Sequence, residues 1–318
     1  MIGSEDEQIH AIGSDPHWQE SFYFNWADPE QRAFTLARIG FRFNQQKIDG
    51  LIVSIRDGEP DLVYPAANLP HQGSWDDQSP ETGMRSRGFT VTMEEPLRRW
   101  RLQLRGRSGM DVVFEAHTPP FDYHAGGRRL AATMTGDHFE QTGSVAGWTN
   151  FKGRRFEISA LGQRDKSWGV RDWPRVEGWN WISGQFDRDL SFNLMQTFEG
   201  GEPFDNGFFF EDGESHAVES MKIRYRWGKR SHRPGTAQIH AIDSRGREHQ
   251  IDAEVLGSFP LLKSGGLLEE CHARFRIEMP SGPRIGQGVI EHVWRPGKLA
   301  LLARIPYLVA SSRKALPR

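Results

Sequence analysis

Apolar and polar residues alternate with a period of two along most of the chain. Met221, Ile223, Tyr225 and Trp227 alternate with Lys222, Arg224 and Arg226, and Phe275, Ile277 and Met279 with Arg274, Arg276 and Glu278. Trp100, Leu102 and Leu104 alternate with Arg101, Gln103 and Arg105, and Phe22, Phe24 and Trp26 with Tyr23 and Asn25. This is the period of a strand with one face buried and the other wet. Turn residues separate the runs: Asp57-Gly58 before Asp61–Tyr64, Asp212-Gly213 after Phe208–Phe210, and Ser244-Arg245-Gly246 between Ala237–Ile242 and Gln250–Val255. They predict antiparallel hairpins. Helix signals are nearly absent. Asp28 as a cap and Pro29 at the first helical position suit one turn at most, and the other apolar segments are too short or too strictly alternating. The expected fold class is all-β, a sandwich or barrel.

A chain of 318 residues is long for one ordinary domain. The strand patterns before residue 160 and after 175 each suffice for a barrel, so the expected division is 1–160 and 161–318. Two stretches carry little pattern, 65–95 and 117–127, and are expected as loops that form a lid or rim.

Composition narrows the function classes. Forty Lys and Arg against 42 Asp and Glu give a formal charge of −2, without the basic excess of a nucleic-acid or anionic-membrane binder. A lone cysteine, Cys271, excludes an internal disulfide and a cysteine zinc cluster, and fits a reducing, cytoplasmic setting. The acidic N-terminus lacks an apolar signal-peptide core, and no apolar run is long enough to span a bilayer. Eleven tryptophans and 20 phenylalanines supply a large core or the walls of an apolar cavity. The sequence has no GxSxG elbow or Walker loop, and Gly286-Gln287-Gly288 lacks the third glycine of a dinucleotide site. The histidines show no HxH or HExxH spacing.

The densest chemistry lies in Gly162–Trp173, where Arg164, Asp165, Lys166, Arg171 and Asp172 interleave with Trp168 and Trp173. Charges among aromatics must be paired or hydrogen-bonded. The arginines and aspartates suit ion pairs that lock two domains together. Lys166 and Trp168, two residues apart, are expected side by side on a cavity wall; acid or base work by the lysine would need an apolar pocket to lower its pKa. Asp165 is the nearest carboxyl. His138 and Glu140 share a strand face, where a carboxylate can orient an imidazole. Trp179 and Trp181 face one side of another strand as core or pocket wall, and Glu291 sits among apolar neighbours as a paired carboxylate.

Taken in order, His138-Phe139-Glu140-Gln141, Gly162-x-Arg164-Asp165-x-Ser167-Trp168-Gly169-x-Arg171-Asp172, Trp179-x-Trp181 and Gly288-x-x-Glu291-His292-x-Trp294 resemble the double-lipocalin superfamily. That group holds the carotenoid 1,2-hydratases, AttH-like proteins, tocopherol-cyclase-like proteins and fungal decalin-forming Diels–Alderases. The similarity is greatest to a bacterial branch in which the central run usually reads Arg-Asp-His-Ser-Trp-Gly. The resemblance implies two lipocalin-like barrels side by side, an apolar pocket in or between them, and chemistry without a metal or redox cofactor on hydrophobic isoprenoid or polyketide substrates. In the hydratases the motif's histidine and tryptophan are tied to catalysis. Trp168 fills the tryptophan's place here, and Lys166 stands where the histidine would be. Either the chemistry differs, or the proton work moves to Asp165, Glu140 or His138, or binding alone remains.

The expected function is therefore a cofactor-independent lyase or isomerase, of hydratase or cyclase type, on a hydrophobic small molecule. Lys166, Asp165, His138 and Glu140 are the expected acid–base groups, and Trp168, Trp179, Trp181 and Glu291 the substrate-binding ones. The competing class is a lipid or terpenoid carrier. A carbohydrate-binding sandwich would instead expose its tryptophans in a shallow groove. If Lys166, Asp165, Glu140 and His138 all pointed away from the cavity, the enzyme reading would fail.

Overall fold

In the computed structural model, which describes residues 1–134, 136–228 and 233–315, the alternating segments form two antiparallel sheets. The first comprises β1 (Trp18–Asp28), β2 (Ala33–Arg42), β3 (Lys47–Arg56), β4 (Glu59–Pro70), β5 (Met84–Ser86), β6 (Phe89–Glu95), β7 (Arg99–Leu104), β8 (Gly109–Ala116), β9 (Phe121–Asp122), β10 (Gly136–Phe151) and β11 (Arg154–Val170). Its order is β4-β3-β2-β1-β11-β10-β8-β7-β6-β5, with β9 on β10, and it curls into a nearly closed barrel. The second is a closed barrel of β12 (Gly178–Gln185), β13 (Leu190–Glu199), β14 (Glu202–Glu211), β15 (Glu214–Trp227), β16 (Pro234–Asp243), β17 (Glu248–Lys263), β18 (Gly266–Ile277) and β19 (Arg284–Trp294). The expected all-β, two-barrel class is the observed one.

The predicted hairpins form. Asp57 and Gly58 both take positive φ (50° and 79°), as do Asp212 and Gly213 (52° and 87°), the left-handed pair that matches the twist of a two-residue hairpin. The division expected near 160 falls inside β11, whose length pairs with β1 and β10. The chain changes sheets only between Val170 and Gly178. Much of 65–95, expected as a loop, belongs to β4, β5 and β6. Gly143 of β10 and Gly162 of β11 face each other in register. A Cβ at Gly162 would lie 2.3 Å from the Asn25 carbonyl oxygen, and one at Gly143 2.3 Å from that of Glu115.

A C-terminal helix, α1 (Lys298–Ala315), corrects the expectation that helices are all but absent. It packs on β4 and β17, held by Arg304 on Glu269 at 3.0 Å and by the Tyr307 hydroxyl within 2.9 Å of Ser258 Oγ. Leu299, Leu302, Ile305 and Val309 stay exposed while Arg304 is buried, so the pattern lacks the buried apolar stripe by which such a helix is read. Among the described residues no helix is long and apolar enough to cross a membrane.

Three apolar clusters follow from the alternation. Phe22, Phe24, Trp26 and Trp100 fill the first barrel, and Phe192, Phe209 and Phe275 the second. The third lies between the barrels, where Tyr23, Phe34, Leu36 and Val53 meet Trp179, Trp181, Phe208 and Phe259. The face of β1 that the sequence marks as wet is thus buried under the second barrel.

Candidate functional site

Strand register assembles a polar patch on that buried face. Tyr23, Asp165 and Glu140 are cross-strand neighbours on β1, β11 and β10, and Ser21, Ser167 and His138 form the next row. Residues at i and i+2 share a strand face, which sets His138 beside Glu140. The patch faces Trp179 and Trp181 of β12 and Glu270 and Glu291, which are partners on β18 and β19. Between the two walls lies a cavity of about 580 Å³, lined by Tyr23, His138, Asp165, Trp181, Glu270 and Glu291 among others. Asp165 and His138 face it, so the condition that would have sunk the enzyme reading is not met. Trp179 and Trp181 are 4 % and 5 % exposed; enclosed indoles do not make a shallow carbohydrate groove.

Glu140 is the hub of the first wall. Its Oε1 accepts hydrogen bonds from the Tyr123 hydroxyl (3.2 Å) and Trp181 Nε1 (2.9 Å), and lies 2.9 Å from His138 Nε2. Its Oε2 accepts from Gln163 Nε2 at 2.5 Å. Trp181 belongs to the second barrel, so this carboxyl ties the two together. Gln185 donating to Gln163 (3.2 Å), Asn206 donating to the Tyr123 carbonyl (2.8 Å) and the close approach of the Tyr123 hydroxyl to Asn193 Oδ1 extend the tie.

Burial sets the protonation states. It pushes Glu140 up to about 8, against its donors, and Asp165 up to about 7, against the pull of His138 and Arg171. It pushes His138 down to about 4. Near neutral pH the first wall therefore presents carboxyls that keep or readily exchange a proton beside an uncharged imidazole. On the second wall, burial and the adjacent Glu291 charge raise Glu270 well above the carboxylate range. Glu291 Oε1 accepts from Trp179 Nε1. His138 Nδ1 and Glu270 Oε2 have no protein hydrogen-bond partner among the described residues. Tyr23 feels the charge of Glu270, Glu291 and Asp165, which places it between the two walls.

Lys166 and Trp168 are not on this cavity, contrary to the expectation that they share its wall. They point from β11 to the opposite face. The Lys166 ammonium donates to Glu20 Oε2 at 2.6 Å and to the Gln8 carbonyl at 2.9 Å, with both charged side chains fully buried. It sits over the Phe22 and Trp168 rings, 4.4 and 5.1 Å from their centroids. Trp168 stacks on His10, with centroids 4.2 Å apart. Arg164 pairs with Glu7 and Gln141 on the same face. These ions hold the N-terminal segment to the first barrel; they do not join the barrels as expected for Arg164.

His138, Glu140 and Asp165 each bring one donor atom within 4.8 Å of the others, so they are the residues that could hold a cation. Glu140 could join such a set only by giving up hydrogen bonds to Tyr123, Trp181 and Gln163. Sequence reasoning missed Tyr23, Arg38 and Glu270. Tyr23 reads as the wet side of an alternating strand, and Glu270 has only its place in Leu267-Leu268-Glu269-Glu270-Cys271, an acidic pair inside an apolar run, to mark it.

These features define a double-barrel protein with a polar, aromatic-walled cavity between its barrels. The chain belongs to the DUF7064 family, a domain of unknown function, whose model matches residues 3–296. A search of curated proteins finds no match. Similar solved folds include an AttH candidate of Nitrosomonas europaea (13 % identity, TM-score 0.65, 88 % of this chain and 94 % of that one). Kievitone hydratase of Nectria haematococca matches at 12 % identity and TM-score 0.65, covering 92 % and 93 %. CghA, solved with Sch210972, matches at 11 % and 0.61, covering 88 % and 89 %. At these identities the likeness establishes a shared fold.

Proposed function

We propose that this protein is a cofactor-independent lyase or isomerase that protonates a hydrophobic small molecule in the inter-barrel cavity. One observation carries the reading: two acid–base stations face one cavity from opposite barrels, with indole rings between them. Addition of water or ring closure across a double bond needs a proton donor on one side and a base or water-holding group on the other. Asp165, protonated to about pH 7, is the donor. His138, uncharged above about pH 4 and held by Glu140 at 2.9 Å, reloads Asp165 as a relay: it takes a proton from water at one ring nitrogen as it gives one up at the other, while Glu291 releases its proton to water. Glu291, beside Glu270, takes the proton released when water or an internal hydroxyl attacks. The faces of Trp179 and Trp181 steady positive charge developing on carbon, each by about 0.5–2 kcal/mol. Lys166 and Trp168 serve the first barrel's architecture. That a kievitone hydratase shares the fold supports the reaction class and says nothing of this substrate.

The test is solvent labelling. The purified protein is incubated in D₂O with a fractionated hydrophobic extract, and products are read by mass spectrometry. Protein-dependent deuterium uptake, lost in Asp165→Asn, is the expected result. Ligand retained by the protein with no label in any fraction would instead identify a carrier.

A further inference from the structure

The cavity is charged unevenly along its length. Its two walls hold His138, Asp165, Glu270 and Glu291. At its mouth, where Leu262 is 54 % exposed, the lining includes Arg38 from β2, Arg42, Arg171 just beyond β11 and Lys263 at the end of β17. Arg42 is taken by Asp49, at 3.0 Å. The other three have no carboxylate at salt-bridge distance among the described residues, though each feels acidic groups further off. Arg38 Nε donates to Ser21 Oγ at 3.1 Å. Lys263 Nζ lies 3.9 Å from the centroid of the Trp173 ring, and the Arg171 guanidinium 5.7 Å from it, so one indole positions both cations without neutralising them.

Arg38 and its neighbours are close enough to disfavour the charge of Lys263 and of Arg171. Burial lowers Lys263 well below its ordinary value, and Arg38, Arg171 and Arg42 lower it further against the opposing pull of Asp49. Burial also takes Arg171 down to about 10, with Asp165 opposing the fall, Arg38 adding to it and Glu291 opposing it. Like charges gathered beside an apolar cavity raise the energy of the unliganded protein, and an anion among them removes that repulsion.

We propose that Arg38, Arg171 and Lys263 form a seat for an anionic group, and that the ligand is an amphiphile with an anionic end at the mouth and an apolar body reaching Asp165. This rests on the cavity being the ligand site. Arginine forks and a lysine point charge suit a carboxylate or a phosphate ester. Anchoring the anion fixes which carbon of the body lies beside Asp165, so the seat also selects the reacting position.

The experiment uses N-phenyl-1-naphthylamine, a neutral fluorophore, as the cavity probe, displaced by dodecanol, dodecanoate or dodecyl phosphate. In the wild type, dodecanoate or dodecyl phosphate should displace it at a concentration at least tenfold below dodecanol, and the better of the two identifies the anion. Arg38→Met combined with Lys263→Met should abolish that preference while leaving the probe's own affinity within twofold, which also shows the variant folded. Equal displacement by alcohol and acid in the wild type, or a preference that survives the double substitution, overturns the seat. A wild type that does not bind the probe overturns the cavity reading itself.

Discussion

Replacing Lys166 by methionine separates architecture from chemistry in the central motif. The ammonium and the Glu20 carboxylate are fully buried and 2.6 Å apart; at an effective dielectric of about 20 such a pair attracts by about 6 kcal/mol. Methionine restores most of the packing volume against Phe22 and Trp168. It leaves Glu20 with only the His10 contacts, at 2.7 Å to its backbone nitrogen and 3.4 Å to Nδ1, and leaves the Gln8 carbonyl without the ammonium. An unpaired buried charge of this kind costs about 3–5 kcal/mol. Lys166→Met should therefore lower the unfolding free energy by that amount in urea denaturation followed by tryptophan fluorescence. Removing both charges, as Lys166→Met with Glu20→Met, should recover most of the loss, because neither partner is then stranded. Probe affinity of the folded single variant should match the wild type. A Lys166→Met protein of wild-type stability whose cavity no longer binds would refute the argument and return Lys166 to the site.

Activity should be flat from about pH 5 to about pH 7 and fall above, as Asp165 loses the proton it keeps to about 7; a rate that rises through pH 8 would exclude it as the acid. Because burial raises that carboxyl above its unfolded value, the folded state binds the extra proton between about pH 4 and 7, and stability from this group is lost as pH rises through that window. Asp165→Asn should accordingly gain stability relative to wild type as pH climbs from 4 to 7, read as denaturation midpoints. Glu291→Gln should cut turnover about 100-fold or more, whereas Glu270→Gln, which imitates the protonated state, should cost less than tenfold. Gly162→Ala should destabilise by about 1–3 kcal/mol in the same urea assay, since its Cβ would meet the Asn25 carbonyl oxygen at 2.3 Å.

Period-two alternation and turn chemistry were enough to give the fold class, because each strand has one face toward a barrel interior. The same pattern failed at the second face. Tyr23 and Asn25 look solvated in the sequence, yet they are 6 % and 0 % exposed, since the other barrel covers them. Nothing local distinguishes a polar face meeting water from one meeting another sheet. His138, Glu140 and Asp165 were legible as chemistry because their spacing survives in register. Arg38, Lys263 and Glu270 were not, because only the packing of barrel on barrel brings β2, β17 and β18 to one cavity. The assignment of Lys166 to the cavity failed by one residue of parity: along β11 neighbours alternate faces, and the lysine and Asp165 lie on opposite sides of the same strand.

That parity explains how a single strand serves two purposes. On one face of β11, Arg164 and Lys166 are matched to Glu7 and Glu20, so the charges are neutralised and the N-terminal segment is held down. On the other, Asp165 faces the cavity at the join between barrels with His138 Nε2 4.0 Å away, and Arg171, just past the strand's end, has no carboxylate at salt-bridge distance among the described residues, so neighbouring charges perturb both. A catalytic wall requires the second condition and a stable barrel the first. Alternation supplies both without either compromising the other, and it predicts that substitutions at 164 and 166 act on stability, and those at 165 and 171 on ligand and pH dependence.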